Sequence, residues 1–271
     1  MSEEIEVLET SEEEGIIEPQ IEVQEEPKPE ITIALDEEKR KALNHILDVM
    51  TEIGVSEATF RYDGGLSVKQ LDESRVSMVV ASIALGQQEL GEPVKRSFTV
   101  NLKALRQALK LHEPIIYVRD ADMVVKGGVA YTGKEAEVSL PLLEALDEDI
   151  PEPNLNLDTE ATIDFDDLRK AFNILVEKPE AVSFEAKDGE LTVKAVNDKM
   201  QRINLNGFKS NGEAKACYGW SYLKALKKSW RIQYSQDAPL KAQRKETAGS
   251  GENKTNIADI TVYIAPRLEV D

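Results

Sequence analysis

The sequence predicts an α+β fold, rich in strands, built from two copies of one domain that each contain two short helices. The main observation is an internal repeat, in which four short blocks return in the same order at offsets that fall from 129 to 117 residues. The paired blocks are 40–44 with 169–173, 63–69 with 188–194, 102–105 with 223–226, and 120–121 with 237–238. Four matches in one order indicate a duplication, so the function should depend on what the two copies form together.

Each copy is predicted to contain a helix, a group of strands, a second helix and a second group of strands. In the first copy, Asp36 is a suitable N-cap for a helix that continues to Met50, because Leu43, Ile46 and Leu47 lie at helical spacing. A second helix is predicted over 102–111. Apolar alternation and glycine-containing turns predict strands over 58–62, 66–71, 76–85, 98–100, 114–119, 122–126 and 134–140.

The second copy repeats this order, with helices over 166–176 and near 220–228. Residues 141–157, which mix three prolines with leucines and acids, are expected to connect the copies. The predicted organisation is therefore a tail over 1–29, a first domain over 30–140, this connecting loop, and a second domain over 158–271.

The first 30 residues hold much of the negative charge. They contain twelve Glu and one Lys, a net charge of −11 out of −18 for the whole chain. The segment 1–29 has three prolines and no helical periodicity, which predicts a disordered tail. Two roles are open: a solubility tail, or a competitor that lowers nonspecific nucleic-acid affinity by occupying a basic surface elsewhere.

Composition and motifs argue against several classes of protein. The chain has no apolar run long enough to span a membrane. Its one cysteine, Cys217, excludes an intrachain disulfide and is expected to be a small buried residue. The two histidines, His45 and His112, lie in different elements without a nucleophile near either, and His45 is expected to be solvated. Phosphate-binding glycine loops and metal-binding motifs are missing from the sequence, so no enzyme activity, cofactor or metal site is predicted.

Basic residues recur at matching places on the four predicted helices, although the chain as a whole is acidic. The face of the 102–111 helix opposite its leucines carries no acid. A basic surface without base-reading motifs suits contact with phosphates rather than with one base sequence. The candidate DNA-binding residues are Arg40, Lys41, Lys103, Arg106, Lys110, Arg169, Lys170, Lys224, Lys227 and Lys228.

Several segments resemble the sliding DNA clamps of the proliferating cell nuclear antigen (PCNA) family, of archaeal or eukaryotic type. Residues 72–79 resemble the family's Asp-x-Ser-x-Val-x-Leu-Val segment, and 99–102 resemble its Val-Asn-Leu helix entry. Residues 139–142 resemble the start of the archaeal connecting loop, while 184–189 and 237–240 resemble segments of the second domain. Residues 263–269 are similar to the family's C-terminal ending. The resemblance covers about 31–271, and the acidic tail and an insertion at 247–255 depart from it.

The resemblance implies the DNA clamp fold: a trimeric ring with outer antiparallel sheets, in which two helices from each domain face the central hole. It implies a non-catalytic processivity factor that encircles double-stranded DNA without sequence specificity. DNA polymerase, clamp loader, flap nuclease and ligase would dock through a short Gln-x-x-aliphatic-x-x-aromatic-aromatic motif. The positions that match the family's docking pocket are Leu71, Val76, Met78, Leu140, Leu142, Leu143, Pro239, Tyr263, Ile264, Ala265 and Pro266.

Subunits of such clamps join by strand pairing, which here would match 134–140 with about 200–205 of the next subunit, starting near Met200. Apolar residues in the acidic connecting loop, such as Leu146 and Ile150, either form a docking strip or pack on the domain beneath. Two other interpretations stay open: a subunit of a heterotrimeric or checkpoint-like clamp, and an acidic interaction scaffold. The expected location is the cytoplasm of an archaeal or virus-infected cell, or the nucleus in a eukaryote.

Overall fold

A computed structural model of the chain describes residues 30–85, 94–144, 150–196, 201–249 and 254–267. The acidic segment 1–29, Leu146, Met200 and the centre of the 247–255 insertion lie outside these residues. The described part forms sixteen strands and four helices. None of its helices is both long and apolar enough to cross a membrane.

Ten elements make up the first copy. They are β1 (Ile31–Ala34), α1 (Glu37–Glu52), β2 (Glu57–Asp63), β3 (Gly65–Leu71), β4 (Ser77–Ala84), β5 (Lys95–Asn101), α2 (Leu102–Ala108), β6 (His112–Val118), β7 (Asp122–Gly128) and β8 (Glu135–Pro141). The second copy repeats their order. Its elements are β9 (Thr159–Asp164), α3 (Phe165–Phe172), β10 (Ala181–Lys187), β11 (Glu190–Val196), β12 (Arg202–Asn211), β13 (Ala214–Gly219), α4 (Trp220–Leu223), β14 (Ser229–Tyr234), β15 (Leu240–Ala248) and β16 (Thr255–Ile264).

The predicted elements are present, with differences at their ends. Two strands that the sequence did not predict, β1 and β9, precede the first helix of each copy. The helices α2 and α3 end earlier than predicted, and α4 is a single turn. After α4 the backbone tightens, because the N–H groups of Ala225 and Leu226 donate to carbonyls three residues earlier rather than four. The chain then turns at Lys228, where φ is 63°, into β14.

Local signals for turns and caps are confirmed. The two Asp-Gly turns join β2 to β3 and β10 to β11, with left-handed φ values of 71° at Gly64 and 80° at Gly189. The carboxylate of Asp36 accepts a hydrogen bond from the N–H of Lys39 at 2.8 Å, which caps α1.

The two copies are joined into one large sheet. Strands β1, β6, β7 and β8 form a four-stranded sheet in the first copy. Its other strands, in the order β5-β2-β3-β4, continue through β16, β15, β14 and β9 of the second copy. The β4–β16 ladder makes this connection with seven antiparallel pairs, from Ser77–Ile264 to Ile83–Ala258. Buried apolar residues of both copies form one continuous core, and Cys217 is buried, as predicted.

His45 lies at the junction of the two copies, so the prediction that it is solvated is wrong. Its side chain is only 13% exposed, and its Nδ1 lies 2.7 Å from the Oε1 atom of Glu246 on β15. The imidazole meets the Trp230 ring edge-on, with 6.0 Å between ring centroids. The prediction failed because strands of the second copy cover what appears in sequence as the polar side of α1.

Glu246 is the centre of this junction. Besides its contact with His45, its carboxylate accepts a hydrogen bond from Nε of Arg244 at 2.6 Å. Burial acts to raise the pKa of Glu246, but the hydrogen bonds from His45 and Arg244 outweigh it and lower the pKa to about 2. The ionised carboxylate is therefore part of the folded structure at neutral pH.

We predict that Glu246→Gln flattens the acid limb of the stability curve. The folded pKa lies below the ordinary value of 4.5, so the stabilisation is complete above about pH 5 and is lost as pH falls toward 2. The total loss should be on the order of 3 kcal/mol in the wild type and absent in the variant. Urea unfolding between pH 2 and 7 measures this loss. Glu57→Gln, at an exposed site on β2, should follow the wild type; parallel curves for wild type and Glu246→Gln would contradict the prediction.

Candidate nucleic-acid interface and docking site

The four helices form one continuous layer. The Asp48 carboxylate on α1 forms an ion pair with the Arg106 guanidinium on α2, at 2.5 Å between nitrogen and oxygen. It forms a second ion pair, at 3.2 Å, with the ammonium of Lys227, just after α4. Arg169 of α3 donates to the carbonyl oxygens of Lys224 and Leu226, both at 2.6 Å. These contacts connect the helices in the order α2, α1, α4, α3, so all ten predicted DNA-binding residues lie along one layer.

Half of these cations are held by protein groups. The Lys41 ammonium lies 2.9 Å from a Glu37 carboxylate oxygen and 3.2 Å from one of Glu38, and these hydrogen bonds raise the pKa of Lys41. Lys170 pairs with Asp167 at 2.9 Å in the same i, i+3 geometry. Exposed pairs of this kind are weak, so these lysines can exchange their partner for a phosphate.

Arg169 differs from its neighbours because its guanidinium serves the fold. It pairs with Asp166 in its own helix while capping the carbonyl groups that follow α4. Only 28% of its side chain is exposed. Its hydrogen-bonding capacity is directed at protein atoms, which leaves little for a ligand.

Five of the ten cations have no hydrogen-bond or ion-pair partner among the described residues. Four of them are exposed lysines that lie on α2 or in the turns next to α2 and α4, and Arg40 is half-buried on α1. These five residues are Arg40, Lys103, Lys110, Lys224 and Lys228.

The predicted docking residues fall into two groups. The first group surrounds the β4–β16 ladder on the outer face of the large sheet. A cross-strand row runs from Lys241 through Tyr263 and Met78 to Leu71. The N–H of Ala265 donates to the carbonyl of Val76 at 2.8 Å and continues this patch toward Pro266. Pro239 precedes β15 beside it, whereas Ile264 is fully buried on the opposite face.

The second group lies on β8 of the four-stranded sheet and beside β5, the end strand of the large sheet. Leu140 pairs with Met123 within the four-stranded sheet and is buried. The N–H of Leu143 donates to the carbonyl of Thr99 on β5 at 2.9 Å. Leu143 lies beside β5 on its outer side, which is three strand spacings from Leu71 on β3 and five from Tyr263 on β16. Leu143 is therefore at least about 14 Å from the Tyr263 row. The structure therefore does not bring the two predicted groups into one patch.

A later part of the connecting loop reaches the Tyr263 row instead. Glu152 lies 3.6 Å from Nζ of Lys69 on β3 and 3.5 Å from the hydroxyl of Tyr263. Burial and the nearby Glu152 carboxylate raise the pKa of Tyr263. Sequence reasoning did not select Glu152 or Lys69. The only available signal was Ile150, an apolar residue with a proline after it, at the end of the acidic run.

Neither a protein-family model nor a curated protein matches the sequence. Solved structures do match. A PCNA2–PCNA3 complex from Sulfolobus tokodaii aligns with a TM-score of 0.67 at 20% identity, over 88% of this chain and 99% of that one. PCNA from Thermococcus kodakaraensis aligns with a TM-score of 0.69 at 19% identity, over 87% and 99%. The chain has the sliding-clamp fold.

A third similar structure carries a bound peptide. It is A. fulgidus PCNA with the C-terminal region of FEN-1, and it aligns with a TM-score of 0.68 at 18% identity over 89% of this chain and 99% of that one. These likenesses confirm the predicted α+β clamp fold with two repeated domains. The roles of individual residues in DNA and partner binding stay predictions.

Proposed function

We propose that the chain is a sliding clamp, a non-catalytic ring of three copies that encircles duplex DNA and tethers replication and repair proteins. The observation that carries this proposal is the continuous helix layer with its exposed lysines, on a clamp fold that leaves two strands open for pairing. Strand β8 pairs only with β7 among the described residues, and β12 pairs with β9 only through Ser210 and Asn211, so residues 202–209 have one open side. Such a protein acts where DNA is copied, in the cytoplasm of an archaeal or virus-infected cell or in a eukaryotic nucleus.

The repeat itself supplies a template for closing the ring. Ile116–Val125–Val138 is a cross-strand row in the first copy, and Ile232–Ala242–Val262 is the matching row in the second. Val138 on β8 is therefore the counterpart of Val262 on β16. A second pair of rows gives the other partner. Gln70 pairs with Val79 in the first copy, and Ala195 pairs with Ile203 at the matching place in the second copy, so Ile203 on β12 is the counterpart of Val79 on β4.

Val79 pairs with Val262 inside the chain. If the junction between subunits copies the junction within a subunit, Ile203 pairs with Val138 of the next copy. This register lies within the 134–140 and 200–205 segments predicted from the sequence. Both strands alternate half-buried apolar with exposed polar residues, so a slip by one residue would expose the apolar set and is disfavoured.

Exposed apolar residues lie at the same proposed seam. By the repeat offset, Ile174 is the counterpart of His45, and Val129 is the counterpart of Glu246, the residue that His45 contacts. Ile174 and Val129 are both exposed, as are their neighbours Val176 and Tyr131. Burial of these side chains against another copy would favour association.

The ring is tested by a disulfide between copies. Ile203→Cys with Val138→Cys puts the two Cα atoms about 5 Å apart across the proposed pair, within disulfide range. Mild oxidation should give covalent species up to a trimer on non-reducing gels, at about three times the chain mass of 30.2 kDa. Ile203→Cys with Glu137→Cys is the matched control, because its thiols point to opposite faces. Equal cross-linking of both variants, or of neither, would contradict the register.

DNA contact is proposed for the exposed lysines of the helix layer. Phosphate contacts that read no bases suit a ring held on DNA by its topology, because the protein can slide while individual ion pairs exchange. Residues with phosphate contacts contribute to the salt dependence of binding, whereas Arg169 contributes mainly to the fold. The two classes are therefore separable by experiment.

We predict that replacing Lys103, Lys110, Lys224 and Lys228 by Gln weakens binding to a short linear duplex. The slope of log affinity against log salt concentration should decrease in magnitude by about 0.9 for each lysine that contacts a phosphate. Fluorescence anisotropy at several salt concentrations measures this slope. Lys187→Gln with Lys254→Gln, two exposed lysines outside the helices, should leave it unchanged. An unaltered slope in the four-lysine variant would reject the assignment.

Client docking is proposed for the row around Tyr263, Met78 and Leu71, with Ala265 and Pro266 beside it. The similar clamp that holds a C-terminal region of FEN-1 supports a flap nuclease as one client. Polymerase, clamp loader and ligase are further proposed clients.

A peptide with the docking motif distinguishes the two groups of residues. Leu71→Asp puts a charge in the row and should weaken binding of the peptide by at least about tenfold. Leu143→Asp beside β5 should have a smaller effect, because Leu143 lies three strand spacings from Leu71. Fluorescence anisotropy with a labelled peptide gives both affinities. A larger effect at Leu143 would move the docking site to the β5 edge.

A heteromeric clamp is the second candidate, because one of the similar structures is a PCNA2–PCNA3 complex. Its subunits would use the same strand edges with a different partner. The native mass of the purified chain separates the two: a trimer supports self-assembly, and a persistent monomer favours a missing sister subunit.

A further inference from the structure

The helix layer is a cationic surface with unused binding capacity in a chain that is strongly acidic elsewhere. Helices α1 to α4, together with Lys110 and the turn 224–228, contain eleven cations and six acids, which leaves an excess of five positive charges. Four exposed lysines there have no ion-pair partner among the described residues. Their ammonium groups can therefore bind an anionic partner.

Residues 1–29 carry the complementary charge. They contain eleven Glu and a single basic residue, Lys28, for a net charge of −10. We propose that this acidic N-terminal segment docks on the helix layer and occupies the lysines that the rest of the chain leaves without partners. The docking does not depend on the proposed DNA-binding role, but its consequence for DNA does.

The attachment point of the segment is close to that layer along the chain. Glu30 is anchored beside β1, where its N–H donates to the carbonyl of Val118 at 2.9 Å. Residues 31–35 connect Glu30 to Asp36, the N-cap of α1. These five residues span at most about 17 Å. A chain of 29 residues can span at most about 100 Å, so the acidic segment is long enough to reach α1 and α2.

Cations nearer to the attachment point are already engaged. Arg96 pairs with Glu30 and lies 3.6 Å from a carboxylate oxygen of Asp120. Lys39 pairs with Asp36 at 2.9 Å. The first cation beyond them without a partner in the described part of the chain is Arg40 on α1, and the α2 lysines Lys103 and Lys110 lie in the adjacent helix.

Such docking makes the acidic segment a competitor for polyanions. A phosphate backbone that approaches the lysines has to displace glutamates that are tethered to the same protein and are therefore present at high effective concentration. Nonspecific binding to free DNA is suppressed, whereas a duplex already enclosed by a ring competes on more favourable terms. The segment therefore favours binding to DNA that the ring encloses over binding to free DNA.

The direct test uses the full chain with all eleven Glu of residues 1–29 changed to Gln, which vacates the proposed surface. A synthetic peptide of residues 1–29 should bind this tail-neutral chain in low salt, and the affinity should fall as salt is added. The further change of Lys103, Lys110, Lys224 and Lys228 to Gln should weaken the peptide by at least about tenfold. Lys187→Gln with Lys254→Gln in the same background should leave its affinity unchanged.

Duplex binding gives the second readout. The tail-neutral chain should bind a short linear duplex at least about tenfold more tightly than the wild type in low salt, and this gain should disappear when the four lysines are Gln. Failure of the peptide to bind, or equal binding with and without the four lysines, overturns the proposal. If the lysines bind the duplex but not the peptide, DNA is the only occupant and the proposal is again overturned. If they bind the peptide but contribute nothing to duplex affinity, the docking stands and the proposed DNA interface fails.

Discussion

The antiparallel ladder between β4 and β16 determines how the two copies are arranged. Its seven pairs join a strand from each copy, so the outer row through Tyr263 and Met78 exists only because this register is kept. A slip by one residue would turn Tyr263 to the inner face and bring Ile264 out of the core. The same register sets β15 against α1, where Glu246 meets His45. Both candidate surfaces, the docking row outside and the helix layer inside, therefore depend on one strand pairing.

The junction within the chain and its counterpart at the proposed seam differ in chemistry. Inside the chain, His45 and Glu246 form a hydrogen-bonded polar cluster; at the counterpart positions stand Ile174 and Val129. A buried ionised cluster stabilises only if its geometry is kept, because desolvation is costly when partners separate. Two domains of one chain can keep that geometry permanently. Apolar contacts tolerate small shifts and suit a seam that separate molecules have to form.

Sequence analysis predicted what is encoded locally or by repetition. The Asp-Gly hairpins, the cap at Asp36 and the burial of Cys217 are each signalled by residues within a few positions of one another, and the duplication is signalled by blocks that return at offsets of 117 to 129 residues. The failures depend on distant residues. His45 looks solvated until strand β15, 201 residues later, covers it. Leu142 and Leu143 precede the acidic run of the connecting loop, and no local pattern indicates that Leu143 lies against β5 while Glu152 reaches Tyr263.

Sequence alone also overstates how much positive charge the helices present. Five of the ten cations pair with acids of the same layer or cap backbone carbonyls, and Asp48 alone engages both Arg106 and Lys227. A protein that held DNA by affinity would be weakened by this partial neutralisation. A ring that holds DNA by enclosure does not need tight phosphate contacts, and weak contacts can exchange as the ring moves. The moderate charge of the layer is consistent with the proposed retention by enclosure, and the proposed docking of the acidic segment uses the same lysines.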